Sequence, residues 1–381
     1  MTDTAPPRWT PRYTLSPAIV RGLMGIEASR ALVAHTPFSP DVEAALRQRA
    51  RVRSVHYSTR IEGNRLTLAE AEQVIAGRKV RFHGRERDRR EVQNYWNALL
   101  RVEEWAAKKT PLSEGLIRRL HALVEKGARA KPTPYREEQN AIRDSASGAL
   151  VYLPPEARDV PGLMAALVRW VVEVEKEGLP VPLVAGLTHY QFVTIHPFYD
   201  GNGRTARLLA TFLLHRGGYG LNGFFSLEEH HARDLAGYYR ALVTHPHHNY
   251  YEGREQADLT PWLEYFVAAL TEVFTDAQRE ALRLAREGVP AEPEVLRRLD
   301  RRGRTVLGLF FKVEKITSAD VARALGLSDR MARVLLRGWV EEGWLTVSNA
   351  SNRARVYELS EIYRQYIGSL SAMPGSGKEP S

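Results

Sequence analysis

Twelve residues, His196-Pro197-Phe198-Tyr199-Asp200-Gly201-Asn202-Gly203-Arg204-Thr205-Ala206-Arg207, lie between two apolar segments and dictate the local architecture on both sides. Upstream, residues 182–195 carry a helical pattern, and Pro197 disfavours the α conformation at the residue before it, so this helix ends at His196. Downstream, Leu208, Leu209, Phe212 and Leu213 recur at helical spacing until Gly217-Gly218, so a second helix starts near Thr205. The chain must therefore run helix, imidazole, glycine loop, helix. Free backbone N–H groups and the positive end of the dipole make the second helix's N-terminus an anion site. Gly201 and Gly203 let the backbone approach phosphate closely, and Arg204 and Arg207 place guanidinium charge beside it. The stretch reads as a nucleotide-phosphate site.

Common phosphate loops do not account for it. Within the stretch no lysine is followed by Ser or Thr, as a P-loop needs, and the third glycine of a dinucleotide fingerprint is missing. A calcium loop fails too, because Arg204 stands at a ligand position and no glutamate closes the loop. The stretch resembles the signature of the Fic-domain family, His-x-Phe-x-Asp/Glu-Gly-Asn-Gly-Arg-x-x-Arg, with every specified position filled between His196 and Arg207.

A second motif, Ser58-Thr59-Arg60-Ile61-Glu62-Gly63-Asn64, lies far upstream. Residues 40–62 are helical by pattern, with Gly63 and Asn64 placed as left-handed C-caps. Glu62 thus sits at a helix C-terminus, where the dipole disfavours a carboxylate by up to ~1 kcal/mol unless a cation answers it. Ser58, Glu62 and Gly63 match the family's inhibitory motif, Ser/Thr-x-x-x-Glu-Gly/Asn. The resemblance implies that the cation is Arg207, withheld from a nucleotide γ-phosphate by the pairing. It also implies the subclass whose inhibitory helix precedes the signature.

At 381 residues the chain has room for two or three domains, and 44% hydrophobic with 26% charged residues permits a buried core throughout. Zero cysteines exclude disulfides and thiolate chemistry. No apolar run approaches the ~20 residues of a membrane span, and residues 1–11 lack the apolar stretch of a secretory signal, so the expected location is the cytoplasm with no membrane partner. A net charge of +9 favours a polyanionic ligand or partner.

The expected fold is mainly α. Residues 1–75 read as a helical N-terminal lobe with Ile19, Leu23, Ile26, Leu46, Val52 and Val55 at apolar positions. Residues 76–275 read as the Fic core, with helices over 91–108, 113–125, 160–177, 182–196, 205–215 and 231–244, and a last one from 259 toward 286. Residues 276–300 are expected as a linker helix. Within the core, Asp144-Ser145-Ala146-Ser147-Gly148 beside the strand-like Ala149-Leu150-Val151-Tyr152-Leu153 predicts a hairpin. In the family this position holds a flap, and residues 144–153 can then take a target segment by strand addition.

Residues 301–365 carry 12 Lys and Arg against seven Asp and Glu. Thr317-Ser318-Ala319-Asp320 caps one helix, Gly326-Leu327-Ser328-Asp329 is a turn, residues 330–342 form the next helix, and 343–347 and 355–359 read as strands. This is a winged-helix pattern. If the module binds DNA, Arg330, Arg333 and Arg337 face it from the recognition helix and Arg353 and Arg355 from the wing. Protein contact and dimerisation are its other uses, and a homodimer is the expected assembly. Residues 366–381 read as a disordered tail. The His245-Pro246-His247-His248 cluster lacks the spacing of a zinc pair.

The resemblance covers about residues 12–275 and implies a protein adenylyltransferase. ATP then lies with its phosphates on loop 201–207 and Asp200 holds Mg²⁺. Asn202, Gly201 and Gly203 serve the α-phosphate, Arg204 the β-phosphate, and Arg207 the γ-phosphate once Glu62 lets go. His196 takes the proton of a target protein's Ser, Thr or Tyr hydroxyl as that oxygen attacks the α-phosphorus. Tyr238 and Tyr239 match paired tyrosines that contact the nucleoside, with core packing as their other use; Asn249 is a candidate base contact. Two further functions fit the same residues. One is removal of AMP, with Glu62 orienting water, alone or beside transfer. The other is a DNA-binding transcription regulator that senses nucleotide through the Fic block. Donors such as UTP occur in the family, so the base is open.

Overall fold

The computed structural model describes residues 8–38, 40–78, 84–143, 147–287, 299–311, 313–349 and 355–364. The expected turn residues Asp144, Ser145 and Ala146, the wing residue Arg353 and the tail 366–381 lie outside the described residues. The chain divides into two compact units, Met1–Arg286 and Glu287–Ser381. No helix among the described residues is long and apolar enough to cross a membrane.

The first unit is built around α7 (Val181–Ile195), a helix apolar on all sides and therefore obliged to be enclosed. All its residues except Val181 and Val193 are buried. It packs most closely with α8 (Asn202–Arg216), and the loop 196–201 between them carries the signature. Helices α4 (Glu86–Ala107) and α5 (Glu114–Lys126) cover α8, and α6 (Val160–Glu177) lies on α7. Across the other side of α7 lies α11 (Thr260–Glu287), whose Trp262 donates its indole N–H to the Gly186 carbonyl at 2.8 Å.

Helices α1 (Pro17–His35), α2 (Pro40–Ile61) and α3 (Leu68–Ile75) share this core through Ile19, Ile26, Val55 and Ala71, so the expected N-terminal lobe is not a separate body. The starts of these helices are chemically marked. Ser16 accepts from the Ile19 N–H, and Thr67 with Glu70 forms a capping box, each such cap contributing about 1 kcal/mol.

Several helix boundaries differ from the periodicity: α4 starts at Glu86 instead of residue 91, and α8 at Asn202 instead of near Thr205. The helix expected over 231–244 is two, α9 (Leu227–Arg233) and α10 (Leu235–Leu242), because the Asp234 carboxylate accepts from the Gly237 N–H and starts a new helix there. The stretch expected as linker from residue 276 continues α11 without a break as far as Glu287. The flap is a short antiparallel pair, β1 (Ile142–Arg143) with β2 (Leu150–Tyr152).

In the second unit, α12 (Arg301–Leu307), β3 (Lys315–Thr317), α13 (Ser318–Leu325), α14 (Asp329–Glu341), β4 (Leu345–Asn349) and β5 (Val356–Leu359) follow in order. The sheet is antiparallel with order β3-β5-β4. Thr317 and Asp320 form a capping box, Gly326 closes α13 at φ +65°, and Ser328 opens α14, which makes a helix-turn-helix. Ile316, Val321, Ala332, Leu336, Trp344 and Tyr357 form its own core.

Candidate active site

His196 ends α7 in the left-handed conformation, φ 51° and ψ 59°, which turns the chain into the signature loop. A non-glycine residue there costs about 1–2 kcal/mol and must be held. Its Nδ1 lies 3.3 Å from the Val193 carbonyl, which can only accept, so Nδ1 carries the proton and Nε2 keeps a free lone pair. Burial pushes the imidazole pKa down to about 4, with the Arg136 charge adding to this and the Val193 bond and Glu62 opposing it. The ring is therefore neutral at pH 7.

The loop is made rigid by residues within and outside it. Asn202 accepts from the Phe198 N–H at 3.0 Å and donates to the Phe198 carbonyl at 2.8 Å. Its oxygen and one of its two amide hydrogens thus clamp one residue of the loop. Phe198 is buried against the His121 ring, centroids 3.7 Å apart, and His121 Nε2 donates to the Asp200 carbonyl at 2.7 Å. Burial lowers the His121 pKa to about 4.

The first bond inside α8 runs from Thr205 N–H to the Gly201 carbonyl, so the amides of Asn202, Gly203 and Arg204 precede the intrahelical ladder. Gly201 sits at φ +75°, and a Cβ there would overlap the Glu125 carboxylate. Asp200 points outward, its side chain 63% exposed. Its Oδ1 accepts from the Gly201 N–H at 2.6 Å and lies 3.6 Å from Arg204 Nη2, while Oδ2 lies 3.8 Å from Arg87. Arg204 is buried, 2.8 Å from the Glu125 carboxylate and 3.8 Å from that of Glu91.

Arg207 is 3% exposed and binds the C-terminus of α2 three times. Its Nε donates to Ser58 Oγ at 2.8 Å, and its Nη2 to the Ser58 carbonyl at 2.9 Å and to Glu62 Oε1 at 2.8 Å. Burial pulls its pKa down, but Glu62, with Tyr238 and Tyr95, more than offsets this and the net shift is upward. A Cβ on Gly203 would overlap Glu62 Oε1, so the carboxylate lies directly against the first turn of α8. Gly63 takes φ +87° as expected of a C-cap. Asn64 does not; its buried amide donates to the Asp88 carbonyl and Glu91, and accepts from the Leu66 N–H.

The paired tyrosines separate. Tyr238 is a core residue hydrogen-bonded to His189 Nε2 at 2.9 Å, and burial raises its pKa to about 12. Tyr239 is 48% exposed, and burial and then Glu62 raise its pKa. The His-rich loop and Asn249 lie against the flap instead of the signature. Leu153 donates to the His248 carbonyl at 2.7 Å and accepts from Tyr250 N–H at 3.0 Å, filling the edge of β2 away from β1.

Two site residues escaped the sequence reading. His121 sits on the apolar stripe of α5 with Ile117, Leu120 and Val124, where it looks like a core histidine. Arg136 lies in a connecting segment with no motif, and its backbone and side chain both bond loop 196–197.

A comparison with protein-family models matches residues 111–214 to the Fic/DOC family. Those residues are a Fic domain. It contains His196, the whole signature, His121, Arg136 and the flap, while Ser58 and Glu62 reach it from outside. The chain is 30% identical to the protein adenylyltransferase Fic of Nematostella vectensis over 234 residues, 58% of this chain and 47% of that protein. With the Drosophila grimshawi protein of the same name it shares 31% over 183 residues, 47% and 36% of the two chains. It thus spans less than half the length of these curated relatives.

Among solved structures, a Fic family protein from Desulfovibrio desulfuricans G20 superimposes with a TM-score of 0.58 at 28% identity, covering 93% of this chain and 99% of that one. A Fic domain containing signaling protein from Bacteroides thetaiotaomicron VPI-5482 gives 0.60 at 25%, covering 69% and 97%. The former likeness extends well beyond residues 111–214.

Proposed function

We propose that the protein is a protein adenylyltransferase held inactive by Glu62. The observation that carries this reading is the Glu62 carboxylate seated on Arg207 and against Gly203, at the helix N-terminus where a triphosphate would sit, beside a neutral imidazole. With Glu62 withdrawn, the amides of Gly203 and Arg204 and the Arg207 guanidinium face one anion-sized space. Arg204, braced by Glu125, adds charge behind the loop. His196 Nε2 then accepts the proton of a target Ser, Thr or Tyr hydroxyl while its oxygen bonds to the α-phosphorus of ATP and pyrophosphate departs.

The exposed carboxylate of Asp200 fits Mg²⁺, a hard cation that takes one or two carboxylates together with substrate phosphate oxygens. When bound, the ion supplies charge neutralisation to the phosphates. A target segment would add as a strand along the outer edge of β1, since residues 248–250 occupy that of β2. Incubating wild type, Glu62→Gly and Glu62→Gly/His196→Ala with Mg²⁺ and α-labelled ATP or UTP tests the reading. Label on protein with Glu62→Gly alone supports it and names the base; no label with any donor sinks it and favours hydrolysis of an AMP-modified protein.

A second reading concerns the second unit, as a winged helix that binds DNA. Arg330, Arg333 and Arg337 are exposed on one face of α14, with Ala332, Leu336 and Trp339 buried on the other. Arg333 lies 3.4 Å from Asp329, while Arg330 and Arg337 have no acidic partner among the described residues. Arg355 is exposed just before β5. Fluorescence anisotropy with a random-sequence duplex should show a linear loss of log affinity with log salt. In Arg330→Ala/Arg337→Ala the slope should fall by about two. Equal binding and slope in that variant would remove the reading.

A further inference from the structure

We propose that Arg136 is a positioning residue that holds His196 in its left-handed turn and couples it to the flap, an inference that rests on reading His196 as the base. Arg136 is 2% exposed, yet it forms no ion pair with a carboxylate among the described residues. Its guanidinium is answered by oxygens without formal charge. Nε donates to the His196 carbonyl at 3.0 Å, Nη1 to the Glu138 carbonyl at 3.1 Å and Gln139 Oε1 at 3.0 Å, and Nη2 to the Pro155 carbonyl. Its own N–H donates to the Pro197 carbonyl at 3.0 Å.

The carbonyls of the strained His196 and of the residue after it thus point at one residue. The other acceptors lie on the two legs of the flap, before β1 and after β2. A buried cation demands fixed acceptors on all sides, so displacement of either leg displaces the His196 carbonyl. Lysine cannot replace it, because three donors on a single nitrogen do not span oxygens on opposite sides of a planar fork.

Other bonds join the same segments without Arg136. Tyr199 Oη accepts from the Glu137 and Glu138 N–H groups, both at 3.1 Å, and Asn140 donates to the Phe198 carbonyl at 3.2 Å. The fold therefore survives its substitution.

The test uses the full chain carrying Glu62→Gly, with Arg136→Lys and Arg136→Ala added. Label transfer from α-labelled ATP should fall on the order of 100-fold in both, the usual effect of misplacing a base by about 1 Å. Binding of a fluorescent ATP analogue, which reads loop 201–207, should stay within about threefold. Guanidinium ion at tens of millimolar should partly restore Arg136→Ala and leave Arg136→Lys unchanged. In a ¹³Cε1-histidine spectrum, read without any activity, the His196 resonance should broaden or split in both variants. Full transfer with lysine, or an unaltered His196 resonance, overturns the proposal. Retained label in Glu62→Gly/His196→Ala would instead refute the base assignment, whatever Arg136 does.

Discussion

Removing the Glu62 carboxylate should open the site by an amount that the contact itself sets. Glu62 Oε1 accepts from Arg207 Nη2 at 2.8 Å, with side-chain exposures of 28% and 2%. A hydrogen bond between charged groups in such a setting contributes about 1.5–3 kcal/mol net. At about 1.4 kcal/mol per factor of ten, a triphosphate competing for Arg207 is weakened about 10- to 150-fold. Glu62→Ala and Glu62→Gly should therefore bind ATP more tightly by a factor in that range and label protein correspondingly faster at limiting ATP. Glu62→Gln keeps a neutral acceptor worth about 1 kcal/mol and should fall between them and wild type. The same contact has a stability consequence of opposite sign. Without Glu62, the buried Arg207 loses its carboxylate, so the ligand-free variants should melt below wild type. With Mg²⁺ and ATP at 100 times Kd they should regain about 2.7 kcal/mol, while wild type gains less. Paired melting curves and filter binding make the measurement. Equal ATP affinity in Glu62→Ala and wild type would refute the argument that Glu62 occupies the phosphate position.

Burial holds His56 and His121 at about 4 and His189 at about 3, so between those values and 6.5 the unfolded chain binds more protons than the folded one. Stability should rise with pH across that window, and by pH 5.5 each of the three should have withdrawn about 1 kcal/mol; a melting temperature flat from pH 7.5 to 5.5 would contradict this. Transfer by Glu62→Gly, measured where the fold persists, should not lose rate through an ionisation near 6.5, because His196 stays neutral down to about 4. Gly201→Ala combines a Cβ at φ +75° with overlap on Glu125, so it should lower the melting temperature and abolish labelling in the Glu62→Gly background; half or more of the activity remaining would show the loop to be looser than its contacts imply. Asn202→Ala leaves the Phe198 N–H without its acceptor and its carbonyl with Asn140 alone, costs about 1–3 kcal/mol and should reduce labelling without changing any charge, as melting and transfer assays on one preparation would reveal.

The charged half of the site was legible in the sequence and the rigid half was not, and the reason lies in how each is encoded. Ser58 and Glu62 stand one helical turn apart, so periodicity alone puts them on a single face of α2, and both reach Arg207. The end of α7 at His196 follows from local punctuation, Pro197, whereas α8 starts at Asn202, three residues before the expected Thr205, so that Gly203 lies inside its first turn. Rigidity comes from groups whose residue type does not disclose their partner. Asn202 has an acceptor and two donors that suit a phosphate or a peptide equally, and only the fold of residues 198–202 directs both ends to Phe198. His121 and Arg136 act on the loop from 79 and 60 residues away in sequence, separations at which no local pattern survives. Asp234 broke an expected helix because a short carboxylate competes for a backbone N–H three residues on, a choice that apolar periodicity does not register. An anion site needs amides that stay in place when a triphosphate arrives, and here the loop backbone is held by the neutral side chains of Asn202 and His121 and by the buried cation Arg136. Substitutions that spare every charge in contact with the nucleotide, at Asn202, His121 or Arg136, should therefore damage transfer as severely as those that remove one.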